Sequence, residues 1–427
     1  MSTNPINRKL AVFIHLDDQF VPAGLLGITE AGTDVLASEF KYGLLYLDRG
    51  NAIEVDPVSL SIQDKGAIRG KALLPVEGLT LFGGIRDAEP DAWGRRVIEA
   101  RLQAPMNSLP ESTYLLQAGS QRVGALDIRP ALDSPPITIR NSVHRLEYLM
   151  EAADRIEQGQ AIPSQLEDIF DAGSNLGGMR PKATVEDDDG TLWLAKFPSQ
   201  GERMDVPCIE AATMRLAAEA GLDVPAVKTE TLRGKTVMMI RRFDREWVDG
   251  KQQRRHMVSA LTMLACDERA SREKSYGEIA DAIRARNAGP LIKSDNQELF
   301  ARMVFNILVT NDDDHLRNHA FLWNRKVQGW GLSPLYDVMP RPTMATERFL
   351  HLGVGQQGRL ATLDNALSGY SRFGITLQDA HENIDRVWRA VREWKTYFEG
   401  YGVPGDEIKK VAPAFRHIDD VLTRSHT

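Results

Sequence analysis

The eight residues Asn311-Asp312-Asp313-Asp314-His315-Leu316-Arg317-Asn318 restrict what this chain can become more than any other stretch. They follow the apolar run Leu299–Leu308, in which Phe300, Met303, Val304, Ile307 and Leu308 fall at helical offsets, so the pattern predicts a buried helix ending near Thr310. Beyond the octet, His319 to Trp323 reads as a short strand, Gly329 and Gly331 mark a turn, and Leu332–Val338 is a second apolar segment. An acidic loop is thus expected between a packed helix and a hairpin, with Asp337 on the far strand of that hairpin.

Three adjacent carboxylates repel one another, and acids flanked by core segments lose solvation. A divalent cation offsets both penalties, and Mg²⁺ takes oxygen ligands from Asp and Asn. Asp313 precedes Asn318 by five positions, the offset between the base and the metal-binding asparagine in a protein-kinase catalytic loop. Asp337 then stands where a second metal ligand is expected. An acidic surface loop with no ligand is the competing explanation of the spacing alone.

A chain of 427 residues has room for two to three domains, and its net charge of −7 argues against wholesale coating of nucleic acid. Only Cys208 and Cys266 occur, so nothing points to a disulfide framework or a cysteine-based zinc site, and a reducing compartment is expected. The first residues lack a signal peptide's charged start and apolar core, and no apolar run approaches a membrane span. A cytoplasmic protein without a membrane partner is expected.

The beginning of the chain reads as β-rich. Leu10–Leu16, Gly24–Thr29, Phe40–Leu47 and Ser59–Ile62 are short apolar or alternating segments between Asp, Gly and Asn turns. Pro90 and Asp91 open a helix through Leu102, and the Pro-rich stretch Pro130–Ile139 marks a boundary. Another helix is expected from Val143 to about Gln158.

A glycine-rich loop, Gly173-Ser174-Asn175-Leu176-Gly177-Gly178, runs into a strand that reaches Val185, and the turn Asp187–Gly190 leads to a returning strand ending at Lys196. Glycines let backbone N–H groups approach phosphate oxygens, and a lysine on a neighbouring strand can neutralise them. Val206, Ile209, Thr213, Leu216 and Ala220 mark an amphipathic helix on which Glu210 lies beside the buried stripe. Lys196 with Glu210 therefore mimics the kinase ion pair that orients a nucleotide. Strands at Ala226–Thr231 and Lys235–Arg241 lead to Arg242-Phe243-Asp244-Arg245, where an adenine-clasping hinge would sit. The basic cluster Arg241, Arg242, Arg245, Lys251, Arg254 and Arg255 is expected to be a solvated face, with a phosphorylated serine, tRNA or operator DNA as alternative occupants. After Met257 the pattern is mainly helical, with long helices expected over Leu377–Phe398 and Asp406–Arg424 and their tryptophans in the core.

Five motifs in this order resemble the HipA family, the serine/threonine kinase toxins of bacterial type II toxin–antitoxin modules. They are Gly173-Ser174-x-x-Gly177-Gly178-x-x-Pro181-Lys182-Ala183, Lys196-Phe197-Pro198, Arg242-Phe243-Asp244-Arg245, Asn311-x-Asp313-Asp314-His315-x-x-Asn318 and Pro334-x-Tyr336-Asp337-Val338. The resemblance implies an α+β, protein-kinase-like two-lobed fold with an extra N-terminal β-rich subdomain and a helical C-terminal lobe. The segments expected are 1–135, 136–255 as the N-lobe and 256–427 as the C-lobe.

The same resemblance implies ATP and Mg²⁺ as cofactors, Asp313 as catalytic base, and Asn318 and Asp337 as metal ligands. Lys196 would contact the phosphates; Ser174 to Gly178 with Lys182 would cover the nucleotide, and Arg241, Arg242 and Phe243 would meet the adenine. His315 would brace the catalytic loop, and Asp312 and Asp314 would be loop-shaping or solvated, with a share in the metal as the alternative for Asp312. Ser174 matches a serine that family members autophosphorylate. Arg241 departs from the acidic residue often found there, which weakens side-chain recognition of the base. A HipB-like helix-turn-helix antitoxin, operator DNA through that complex, and an aminoacyl-tRNA synthetase as substrate are the implied partners. A catalytically silent kinase-like module that binds a partner or nucleic acid, and a small-molecule kinase, are the alternatives.

Overall fold

The computed structural model describes residues 4–137, 142–163 and 178–422. They form two compact units interleaved in sequence: Met1–Gln200 with Arg241–Cys266, and Gly201–Ile240 with Asp267–Thr427.

The first unit is built on an antiparallel sheet. Ile6–Leu16 pairs with Gln19–Ala31 on one side and with Leu126–Arg129 on the other, and Asp34–Tyr42 forms the far edge. Leu10, Val12, Ile14, Leu26, Ile28 and Phe40 are buried from it. Two expected strands depart from expectation. Of Phe40–Leu47, only the part up to Tyr42 is strand, and Leu44–Leu47 turns into a short helix after Gly43. Ser59–Ile62 is held in a turn, because the Asp56 carboxylate accepts the N–H groups of Val58 and Ser59 at 2.7 and 2.9 Å. Local side-chain bonds of this kind compete directly with a ladder.

The helix Ala92–Leu102 starts as expected, with Asp91 capping Gly94 N–H, and is tied by Trp93 Nε1 to the carbonyl of Lys182 at 2.9 Å. Lys182–Glu186 and Leu192–Lys196 form the expected hairpin, in which Lys182 and Lys196 are direct cross-strand neighbours. A second hairpin, Arg245–Val248 with Lys251–Arg254, turns at Asp249 and Gly250, both in the left-handed region.

The expectation of a solvated basic face is overturned here. Arg241 and Lys251 are exposed, but Arg242, Arg245 and Arg254 are buried. Asp244 accepts from Arg242 and Arg245 at 2.8 and 2.7 Å, and the guanidinium groups also take the carbonyls of Gln121, Arg122 and Gly124. Burial raises the Asp244 carboxyl, but the two arginines outweigh it and hold it far below the usual carboxylate range. Spacing alone did not distinguish a surface patch from buried clamps on a loop.

The second unit packs the helix Ile292–Val309 among Tyr276–Arg286 and Leu377–Val391; nearly every residue from Leu299 to Val309 is buried. The helix Val206–Glu219 carries the buried Glu210, and Val227–Leu232 pairs with Lys235–Arg241. Ala320–Asn324 and Gly329–Leu332 form the expected hairpin, but its second strand ends at Leu332. Asp337 lies beyond it in irregular chain, not on the far strand. The long C-terminal helices are interrupted too: Leu377–Val391 is separate from Trp394–Gly400, and Gly405–Val411 stops ahead of Pro413, which has no N–H to continue it. Among the described residues no helix is long and apolar enough to cross a membrane.

Candidate active site

The acidic octet is shaped by the end of its helix. Thr310 adopts a left-handed conformation (φ 53°) that stops Ile292–Val309, and the next residue turns inward: Asn311 donates to Asn306 Oδ1 at 3.0 Å. Asp312 and Asp313 then face outward, whereas Asp314 is buried.

Of the two roles expected for Asp314, loop-shaping or solvated, the structure gives it the first, from inside the core. One of its oxygens accepts from Tyr276 Oη at 2.5 Å, from Asn306 Nδ2 at 2.8 Å and bonds His319 Nε2 at 2.9 Å. Burial pushes this carboxyl up, but the His319 ring and the hydrogen bonds outweigh it, so it lies below the ordinary carboxylate value. The same network drives the Tyr276 hydroxyl well above its usual range, through burial first and the Asp314 charge second. An ionised, fully engaged carboxylate inside the core pins the loop from beneath.

Above it, the loop is closed by its own backbone. The Asp313 carbonyl accepts the N–H of His315 at 2.8 Å and the side-chain amide of Asn318 at 3.2 Å, and the His315 carbonyl accepts Asn318 N–H at 2.8 Å. Because the Asn318 Nδ2 is turned to its own loop, its Oδ1 is the atom presented elsewhere. The His315 ring packs edge-on against His351, with centroids 5.8 Å apart, and its Nδ1 is buried with no partner among the described residues. His351 in turn meets Ser271 Oγ at 3.1 Å, which accepts Leu316 N–H at 3.3 Å. Burial pushes the His351 ring down to about 4, so it is neutral at pH 7. His315 therefore sits within the bracing of the loop.

The chain of Asp337 is bonded to this loop. Tyr336 Oη donates to the Arg317 carbonyl at 2.6 Å, which joins the residue before Asp337 to the residue before Asn318. Asp337 itself is left-handed (φ 59°), a conformation that costs energy outside glycine and recurs at functional sites. Four residues on, Arg341 Nη2 donates to Asp313 Oδ2 at 2.6 Å while its Nε lies 3.1 Å from Asp312 Oδ1. Partial burial raises the Asp312 carboxyl; the Arg341 charge opposes this, and Asp313 adds to it.

The second unit thus gathers Asp313, His315 and Asn318 in one loop, with the chain carrying Asp337 bonded to it. Among the described residues no group of three or more His, Cys, Asp or Glu side chains could hold a metal alone. A Mg²⁺ ion here needs other oxygens, which is the usual arrangement when one or two side chains share it with substrate phosphates. The Asn318 amide oxygen and the Asp337 carboxylate suit that ion in donor type.

The remaining site residues lie on different elements. Ser174, Asn175, Leu176 and Gly177 fall outside the described residues. Gly178 has φ 97°, and its carbonyl accepts Lys182 Nζ at 3.1 Å. That ammonium is buried and also bonds Asp91 at 2.6 Å, the acid that caps Ala92–Leu102. Lys196 is buried at the end of its strand, Arg241 is exposed, Phe243 is half-buried, and Arg242 is committed to Asp244. The roles of Tyr276, Asn306, His319 and Arg341 around this loop, and of Asp91 toward Lys182, were missed in the sequence.

The profile of the HipA-like C-terminal domain matches residues 174–395, just over half of the chain. A protein of Sinorhizobium fredii named as a candidate kinase, Y4mE, is 25% identical over 355 residues, covering 76% of this chain and 77% of that one. The serine/threonine-protein kinase toxin HipA of Shewanella oneidensis is 26% identical over 146 residues, 30% of this chain and 33% of its own. In structure, HipA from the Shewanella oneidensis MR-1 complex with HipB and operator DNA matches with a TM-score of 0.67 at 18% identity, over 94% of each chain. That likeness establishes the mixed α+β, kinase-like fold expected from the motifs. The profile match, in agreement with the five motifs, makes this chain a member of the HipA family through its HipA-like C-terminal domain.

Proposed function

We propose that the chain is an ATP- and Mg²⁺-dependent serine/threonine protein kinase of the toxin type. The reading is supported above all by the loop in which the Asp313 carbonyl holds the Asn318 amide, with Tyr336 fastening the Asp337 segment to it.

Asp313 accepts the proton of the acceptor hydroxyl as that oxygen bonds the γ-phosphorus and the bond to the β–γ bridging oxygen breaks, releasing ADP. Asn318 and Asp337 supply the oxygens for Mg²⁺, whose charge, when bound, offsets that of the phosphates. Lys196, oriented by Glu210, takes the α/β-phosphates. The loop Ser174–Gly178, its end fixed by Lys182, covers the nucleotide, and the Arg241–Phe243 segment meets the adenine. The divisions 1–135, 136–255 and 256–427 follow these roles.

Ser174 is the site of autophosphorylation, where added charge beside ATP phosphates repels them and shuts the enzyme off. The Shewanella HipA that shares the fold is held with HipB and operator DNA, which supports a HipB-like antitoxin as partner. An aminoacyl-tRNA synthetase as substrate and a cytoplasmic location complete the reading. Intact-mass measurement after incubation with Mg·ATP tests it: a gain of one phosphoryl group, mapped to Ser174 and lost in Ser174→Ala, is expected. An unchanged mass in a protein that binds no nucleotide leaves the silent binding module in its place.

A further inference from the structure

The geometry points to Arg341 as a further catalytic residue, a built-in arginine finger that reaches the transferring phosphoryl group from beside the base. This rests on the phosphotransfer reading and adds a residue that none of the five motifs contains.

The need comes from charge. Phosphoryl transfer spreads negative charge over three equatorial oxygens, and the proposed base stands next to a second acid, Asp312. Two carboxylates facing that group raise the barrier unless a cation stands among them. Arg341 is placed there: its Nη2 donates to Asp313 at 2.6 Å, and its Nε is 3.1 Å from Asp312. A guanidinium has five N–H donors in one plane, and these contacts use one edge. Its Nη1 has no partner among the described residues and is free for a phosphoryl oxygen.

The side chain is also preset. Arg341 lies between Pro340 and Pro342, so its backbone has little freedom. Its N–H donates to the Thr310 carbonyl at 3.0 Å, and Thr310 Oγ1 accepts Arg348 Nη1 at 2.5 Å. The stem is therefore fastened to the turn that starts the catalytic loop. The side chain is 53% exposed, open to an arriving ligand. An ordinary exposed ion pair needs no such stem, and such a pair would leave the chemical step untouched when removed.

The test uses the full-length protein with Mg·[γ-³²P]ATP, following label onto protein and as released phosphate, alongside nucleotide binding. Arg341→Ala is expected to slow transfer at saturating ATP by about 10²–10³-fold, with nucleotide affinity changed less than about threefold. Added guanidinium ion should restore part of the lost rate in Arg341→Ala and none in Asp313→Ala. Arg341→Lys, which keeps charge without the fork, should fall between. Transfer by Arg341→Ala within about threefold of wild type, or a slower rate that guanidinium leaves unmoved, overturns the assignment while phosphotransfer stands. A wild type as inert as Asp313→Ala overturns the kinase reading and Arg341 with it.

Discussion

The Tyr336 hydroxyl lies 2.6 Å from the Arg317 carbonyl, and through this bond the segment of Asp337 is held against the loop of Asn318. This phenol thus joins the segments of two proposed metal ligands that lie nineteen positions apart in sequence. Tyr336→Phe removes about 1 kcal/mol of hydrogen bonding and leaves the Arg317 carbonyl to water. Titration calorimetry should show affinity for Mg·ATP falling roughly fivefold, with affinity for ATP in EDTA unchanged.

Asp314 is the second dependence. With Tyr276, Asn306 and His319 all turned to one buried oxygen, Asp314→Asn sets an amide against donors. Urea unfolding should show a loss of about 1–3 kcal/mol, and label transfer should slow more than nucleotide binding weakens. A variant with full stability and rate would remove the bracing role.

Much of this was legible in the sequence and some was not, for physical reasons. The helix ending near Thr310, the hairpin after it and the hairpin across Asp187–Gly190 follow from apolar period and turn residues, and the structure has them. The strand expected around Asp337 failed because apolar content without a ladder partner does not make a strand. For Asp314 the sequence left loop-shaping and solvated open, and the buried arginines were misread as solvated, because charge argues for exposure unless a partner is known. Those partners, Tyr276 and the carbonyls of 121–124, come from distant segments or from backbone, which no spacing displays.

Those arginines give a stability prediction. Asp244→Asn leaves Arg242 and Arg245 buried without their carboxylate, a change expected to cost about 3–5 kcal/mol. Chemical denaturation of the variant should show this even if the catalytic loop is unaffected.

His256 makes stability depend on pH. Its ring is buried against the Val55 carbonyl, and burial pushes it from 6.5 down to about 4. The native form keeps it neutral while the unfolded chain binds a proton near 6.5. Its contribution is thus complete above pH 6.5 and is lost as the pH falls toward 4, by about 3 kcal/mol in full. In His256→Gln, the drop in melting temperature between pH 7 and pH 5 should shrink.

The central claim is that Asp313, Asn318 and Asp337 serve one phosphoryl transfer, and Mg²⁺-dependent movement of the γ-phosphate tests it most directly. Wild-type protein should transfer label from [γ-³²P]ATP to a hydroxyl, while Asp313→Ala and Asp337→Ala, both still folded, should fall by at least about 10²-fold. Equal labelling by all three proteins would contradict it.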